Sequence, residues 1–552
     1  MLGSLPDQAP SRTNAMRLPL LLLASTLALA ACDAGTAPDA SIAQSSSAPT
    51  DFIYAELSIA DLQERMQRGE IDSRTLTQAY LNRIAAIDKA GPSLNAVIEV
   101  NRDALKEATL RDVERKTNAL RGPLHGIPIL IKDNIAAVPM ANSAGSLALK
   151  DFHPANDAFL VRRLRAAGAV ILGKANLSEW ANFRSTRSTS GWSGRGGQTR
   201  NPYVLDRNPC GSSSGSAVAV AANLAAAAIG TETDGSIICP AAMNGVVGLK
   251  PTVGLVSREG IIPISYSQDT AGPMTRTVEG AAQLLSVMAG RDPEDPATAN
   301  AAWNITLDYQ SHLRADSLKG ARIGVLRSKF AIHPDAAAAM EEAIKSMREA
   351  GATVVDAEIP TDGQWDADEI VLMEYEFKAG LERYLAKYDA PLKTLTQLIG
   401  YNQQYVKSEM PFFGQDLFER ANARGGLGEE TYITARSRAR RLAGPEGIDV
   451  ALKQQQLDAL IAPATGPAWV TDTVAGDHFP GAGYGAAAVA GYPSLTVPMG
   501  SSSGLPLGIV FMGPAWSEAR LLGLGYAYEQ LTRARKPPEY LPTLAPQRKS
   551  RI

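Results

Sequence analysis

Beyond residue 57 the apolar positions keep switching between a helical and an extended period. In Ser58-Ile-Ala-Asp-Leu-Gln-Glu-Arg-Met66 a serine precedes apolar residues spaced three and four apart, which predicts a capped amphipathic helix; Ser73 opens a second one running towards Asp88. Short apolar runs then alternate with helical stretches: Ala96 to Val100, a helix over 102–116, Ile127 to Ile131, a helix over 156–167, and Ala169 to Leu172. A small-residue segment from about Gly215 to Ile229 reads as a further helix. Later strands are expected over Arg322 to Leu326, Thr353 to Val355, Leu457 to Ile461, Ser494 to Val497 and Gly508 to Phe511. Between them Gln364 to Leu442 forms a long helical block, an insertion of the kind that shapes a pocket or simply packs. The rhythm is that of an α/β protein, and no Pro/Ser-rich linker interrupts it, so one large domain is expected over 51–545.

The first fifty residues follow another logic. Arg17 precedes an apolar run from Leu18 to Ala31, which is too short for an ordinary membrane span and reads as a secretory signal over 1–31. It ends in Leu29-Ala30-Ala31-Cys32, which resembles a bacterial lipoprotein processing site, with cleavage before Cys32 and lipid on its thiol. Met16 makes the more typical start, leaving 1–15 as an upstream extension. Residues 32–50 are small and polar, as suits a flexible tether. The expected location is therefore extracytoplasmic, lipid-anchored on the periplasmic side of a bacterial membrane.

Composition narrows the choice. With 45% hydrophobic and 20% charged residues and a net charge of -3, the chain can bury a large core and offers no basic face to nucleic acid. The cluster Arg436 to Arg441 reads as a solvated helix face. Only Cys210 and Cys239 remain beyond Cys32, too few for a disulfide-built scaffold. Both flank the serine motifs described next, so a bridge is conceivable; two buried free thiols are the expected state.

The chemistry concentrates in three places. Cys210-Gly-Ser-Ser-Ser-Gly-Ser216 leads into the small-residue segment, which is followed by Gly230-Thr-Glu-Thr-Asp-Gly-Ser-Ile237. A helix of about fifteen residues travels roughly 22 Å, and seven extended residues return about 24 Å, so Ser212 and Ser236 can face each other. Glycines and serines there let backbone N–H groups converge as an oxyanion hole requires. Upstream, Lys132 closes the apolar run of Leu124-His-Gly-Ile-Pro-Ile-Leu-Ile-Lys-Asp-Asn134. Burial there lowers its pKa and makes a neutral amine available as a base through a neighbouring hydroxyl. His125 is assigned to packing.

Lys132 at its strand end, the Gly-Ser-Ser turn and a second serine 24 residues later in Thr-Asp-Gly-Ser-Ile resemble the amidase signature family, as do Gly245 to Ser257 and Gly173 to Glu179. The resemblance spans residues 57 to about 535. It implies a single α/β domain with a mixed central β-sheet surrounded by helices, and amide hydrolysis with no metal or cofactor. It also implies Ser236 as nucleophile, Ser212 as a bridging serine after a cis peptide bond, Lys132 as base, and backbone N–H groups of Thr233, Asp234, Gly235 and Ser236 as oxyanion hole. Cys210, Ser214, Asp234 and Ile238 depart from the commonest family pattern and resemble the bacterial peptide amidases, which implies C-terminal peptide amides as substrates and release of ammonia. Small aliphatic or aryl amides are the alternative substrates. Asp234 either repels free carboxylates or contributes only its N–H. A monomer is favoured.

Two rivals fit less of the chain. Gly211-Ser-Ser-Ser-Gly215 also matches a nucleophile elbow centred on Ser213, but Leu205 to Cys210 is polar and broken by Pro209 where that motif needs an apolar strand. Its partners would be His312, His333 or His478, which stand in unmarked surroundings. An anion-binding lipoprotein module built on the serine turn leaves Lys132 and the second serine cluster unexplained.

Overall fold

The computed structural model describes residues 52–303, 305–306 and 308–545; the signal, Cys32 and the tether lie outside the described residues. In chain order the strands are β1 (Val97–Val100), β2 (Pro128–Lys132), β3 (Val170–Ala175), a short pair β4 (Trp192–Ser193) and β5 (Gly197–Gln198), β6 (Ala227–Glu232), β7 (Val247–Lys250), β8 (Thr270–Thr275), β9 (Arg322–Leu326), β10 (Thr353–Ala357), β11 (Ala459–Pro463), β12 (Ser494–Ser502) and β13 (Leu505–Met512). Eleven of them form one sheet in the order β1-β3-β2-β6-β8-β7-β12-β13-β11-β9-β10.

The sheet is mixed for a local reason. Strands β2, β3 and β6 are apolar along most of their length and buried on both faces, the pattern of parallel strands; β2 pairs in parallel with both neighbours. Strand β6 then meets β8 antiparallel, and β12 and β13 form an antiparallel hairpin at the sheet's middle. Helices cover both sides, and the insertion over 364–442 is helical: Asp366–Lys387, Leu395–Gln404, Val406–Glu409, Asp416–Asn422, and Glu430–Ala443 reaching one residue beyond it. Their apolar faces form a separate small core, where Phe377 and Phe418 stack 5.2 Å apart.

The single α/β domain with a mixed sheet is as expected, whereas the serine segment differs in detail. The predicted helix from Gly215 to Ile229 is two elements: a helix over Ser214–Ala221, then β6 from Ala227. Alanine and valine fit either state when buried, so periodicity does not divide them. Asn223, at φ +58, marks the break. The return path from Ser212 to Ser236 is therefore a short helix outward and a strand back. The hairpin β4–β5 and strands β7 and β8 carry no strong sequence pattern and emerge only in the structure.

The helix Ser214–Ala221 is buried at every position and runs against the sheet without a polar face. Its small side chains allow that approach. A Cβ on Gly215 would lie 2.3 Å from Ala96 O and 2.5 Å from Asn176 O, so backbone occupies the space. We expect Gly215→Ala to destabilise the protein by about 3 kcal/mol, at the upper end for overpacking because backbone must move. Urea titration followed by circular dichroism measures this; an unchanged midpoint would show that the helix shifts freely.

Candidate active site

Strand β2 delivers Lys132 into the molecule rather than to its surface: the side chain is fully buried. Its Nζ lies 2.8 Å from Ser212 Oγ, 2.9 Å from Ser213 Oγ, 2.8 Å from Thr231 Oγ1 and 3.1 Å from Thr231 O. All four neighbours are hydroxyl or carbonyl oxygens; among the described residues no carboxylate pairs with it. An ammonium there has lost its hydration without gaining a counter-ion. Burial accordingly pushes the Lys132 pKa well below 10.5, against the more distant pull of Glu232 and Asp269.

The neighbouring buried lysine shows what that absence means. Lys174, on β3 beside it, reaches Asp133 at 3.3 Å and donates to Ala141 O at 2.9 Å. Asp133 also takes the Ser143 hydroxyl and the Gly145 N–H at 3.2 Å, so this second lysine belongs to a compensated ion pair. Strand register sets Ile131 opposite Lys174, and one residue further along the chain the environment changes from ionic to hydroxylic.

Ser212 follows a cis peptide bond from Gly211, and its carbonyl accepts the Ser178 N–H at 3.0 Å. Ser214 Oγ donates to Cys210 O at 2.6 Å and closes the turn. The two serine segments meet where the Ser213 N–H donates to Ser236 O at 3.0 Å. Ser236 remains 8% exposed, against none for Ser212. Ser213, the centre of the rival elbow motif, donates to Thr231 O at 3.0 Å and is fully enclosed beside Lys132, where a substrate carbonyl has no path to it.

The thiols are not free. Cys210 and Cys239 form a disulfide with Cα atoms 6.0 Å apart, which corrects the expectation of two buried thiols. The sequence places the cysteines 29 residues apart, and only the helix-then-strand return brings them together. Closing a loop of that length is worth about 3.5 kcal/mol on the chain-entropy account.

The loop Thr233–Ser236 is held from behind by Glu232. Its Oε2 accepts the Ile237 N–H at 2.7 Å and the Ile238 N–H at 2.9 Å, and it also draws the Gly235 amide. Gly235 adopts φ +75 under the Tyr484 ring, where a Cβ would come within 2.2 Å of the ring. Thr233 Oγ1 donates to Asp269 Oδ1 at 2.6 Å; burial raises that carboxyl to about 6. Asp234 points into a cavity of about 270 Å³ shared with Glu369 and Asp366. Protein walls around it, and then Glu369, push its pKa well up, although water reaches the side chain.

A larger cavity of about 670 Å³ is lined by Asn134, Thr231 and Thr233 from the strand ends, and by Arg383, Tyr384 and Arg440 from the helical block. The insertion therefore forms a pocket wall. His125 is buried with Nε2 2.9 Å from Arg111 O, as packing requires. Thr231 and Glu232 lie inside the segment Gly230 to Ile237 but take no role from the sequence, and Asp269 and Tyr484 stand in no motif. A glutamate closing a buried strand two residues before Asp234 is a usable signal for Glu232; Asp269 and Tyr484 come from distant segments and have none.

The buried lysine bonded to a serine, the second serine segment hydrogen-bonded to the first and the pocket at the strand ends make up the candidate site, and kinship with amidases makes the protein a hydrolase of amide C–N bonds. The sequence model of the Amidase family matches residues 75–522. The chain belongs to the amidase signature family. It is 41% identical over 503 residues to a probable amidase of Arabidopsis thaliana, covering 89% of this chain and 93% of that one. The native peptide amidase of Stenotrophomonas maltophilia is similar in structure, with 62% identity, a TM-score of 0.87, and coverage of 89% of this chain and 99% of that one. An amidase family protein of Bacillus anthracis is 37% identical with a TM-score of 0.79, covering 88% of this chain and 93% of that one.

Replacing Glu232 by Ala removes the acceptor of the buried Ile237 and Ile238 N–H groups and the partner of the Gly235 amide. We expect a loss of about 1–3 kcal/mol of stability and a fall in kcat, since the loop is left unsupported. Thermal melting and steady-state kinetics check both; unchanged kcat would show that the loop does not need this carboxylate.

Proposed function

We propose that Ser236 is the nucleophile, Ser212 the proton relay and Lys132 the general base of an acyl-enzyme mechanism. The observation that carries this reading is Lys132, buried among hydroxyls without a counter-ion and bonded to Ser212 at 2.8 Å. As neutral Lys132 takes the Ser212 proton, Ser212 takes that of Ser236, and Ser236 Oγ attacks the amide carbonyl. The carbonyl oxygen becomes an oxyanion facing the backbone N–H groups of Thr233–Ser236; Glu232 already engages the Gly235 amide, which leaves the other three for it. The proton held by Lys132 returns through Ser212 to the leaving nitrogen. Water then enters, gives up its proton along the same relay, and releases the acid.

The substrates in this reading are C-terminal peptide amides, and the nitrogen leaves as ammonia. Support comes from the 62% identity to the peptide amidase, from Cys210, Ser214, Asp234 and Ile238, and from a 670 Å³ cavity with room for more than the amide group itself. Ammonia release from a panel of peptide amides, free acids and simple amides tests the assignment, and turnover confined to simple amides refutes it.

The neutral amine is the active form of Lys132, so kcat/KM should rise with pH as the lysine loses its proton and level off well below 10.5. Lys132→Ala should lose amide turnover by on the order of 1,000-fold or more. A matched ester should suffer less, because its alkoxide leaves with less protonation than an amide nitrogen. Comparison of kcat/KM for the amide and ester pair in wild type, Lys132→Ala and Ser212→Ala is decisive, and full amide activity in folded Lys132→Ala protein excludes this relay.

We further propose that the mature protein is lipid-anchored at Cys32 on the periplasmic side, on the strength of the apolar run Leu18 to Ala31 and the tether behind it. Wild-type protein should partition with membranes or detergent and Cys32→Ser should not. Equal solubility of the two would rule out the anchor.

A further inference from the structure

The Cys210–Cys239 disulfide joins the segments that carry the two serines, and we propose that it is a positioning element for them, so that full turnover is reached only once this pair is oxidised. The inference rests on the Ser236–Ser212–Lys132 reading above.

Cys210 stands two residues before Ser212, and Cys239 three residues after Ser236. Each cysteine is fixed to its own segment. The Cys210 N–H donates to Asn208 Oδ1 at 2.8 Å and its carbonyl takes the Ser214 hydroxyl, while the Cys239 N–H donates to Gly235 O at 2.8 Å. Any movement of a sulfur is thereby passed to a reacting serine within two or three residues. The segments begin and end the unit formed by helix Ser214–Ala221 and β6, whose outward and return path sets them side by side. Across the gap run the Ser213 N–H to Ser236 O hydrogen bond, a bond from Asn244 Nδ2 to Pro209 O at 2.8 Å, and the disulfide, the one covalent link among them.

Cys210 is 4% exposed and Cys239 not at all. A reduced pair needs more room, since unbonded sulfurs pack at van der Waals distance rather than bond length. In a close-packed interior that room comes from the backbone beside them, which here is the backbone of Ser212 and Ser236. Proton relay through two hydroxyls tolerates little displacement, and misplacement by about 1 Å costs on the order of 100-fold in rate.

Closing the bridge removes two protons and two electrons from the thiols. They pass to a small disulfide or a thiol–disulfide exchange protein, which is reduced to two thiols. Compartments that supply such an oxidant lie outside the cytoplasm, so a chain exported with these cysteines acquires its full activity there. The cysteines thus gain a role in catalysis that a purely stabilising staple would lack.

The test separates positioning from stability. In Cys210→Ala/Cys239→Ala protein, assayed on a peptide amide well below its melting midpoint, kcat should fall by on the order of 10- to 100-fold while KM stays within about twofold. A folded double variant with wild-type kcat overturns the proposal. Should the variant not fold, wild-type protein refolded with excess dithiol and then given oxidised glutathione provides the second measurement. Activity should rise in step with the disappearance of Cys210 and Cys239 thiols from alkylation. Full activity while both thiols still alkylate overturns it, as does purified active enzyme with both thiols free. An oxidised wild type that turns over no amide is a failure of the proposed activity itself, and is told apart by the absence of turnover in every redox state.

Discussion

The structure depends on a lysine held without a counter-ion. Lys132 sits at the end of a strand buried on both faces, and the oxygens around it belong to two serines and a threonine. Water would solvate its charge better than these groups do, so the protein favours the neutral amine. In the proposed relay such an amine serves as the base. Lys174 shows the opposite solution on the next strand, where Asp133 compensates the charge. The difference between the two lysines is one neighbouring carboxylate.

Small residues make the arrangement possible. The helix Ser214–Ala221 lies against the sheet at a distance that its small side chains allow, and Gly215 meets backbone on two sides. That closeness brings Ser212 to the end of β2 and lets Ser213 bond across to Ser236. Glu232 then satisfies the amides that follow Ser236, and Tyr484 covers Gly235, so the loop has little freedom left. Preorganisation of this kind lets backbone dipoles stabilise developing charge without reorganising during reaction.

The pocket walls come from elsewhere in the chain. The insertion over 364–442 contributes Arg383, Tyr384 and, from its last helix, Arg440 to the wall of the large cavity, and Glu369 to the smaller one beside Asp234. The proposed relay sits at the sheet, and the residues placed to meet the rest of a substrate sit on helices packed over it. Such a division lets substrate preference vary without disturbing the relay.

The sequence by itself determined the α/β class, the single domain, most strands to within a few residues, and the three residues Lys132, Ser212 and Ser236 as candidates. Those are local properties: an apolar run ending in lysine, a glycine-serine turn, a second serine at a reachable spacing. In it Gly215 to Ile229 reads as one helix where the structure has a helix followed by strand β6, because buried small residues suit both states. Only the tertiary structure decided that Cys210 meets Cys239, that Thr231 and Ser213 complete the surroundings of Lys132, and that Asp269 and Tyr484 support the loop. Those contacts join segments tens or hundreds of residues apart, and pairing at that range is set by how the sheet is ordered rather than by any pattern along the chain.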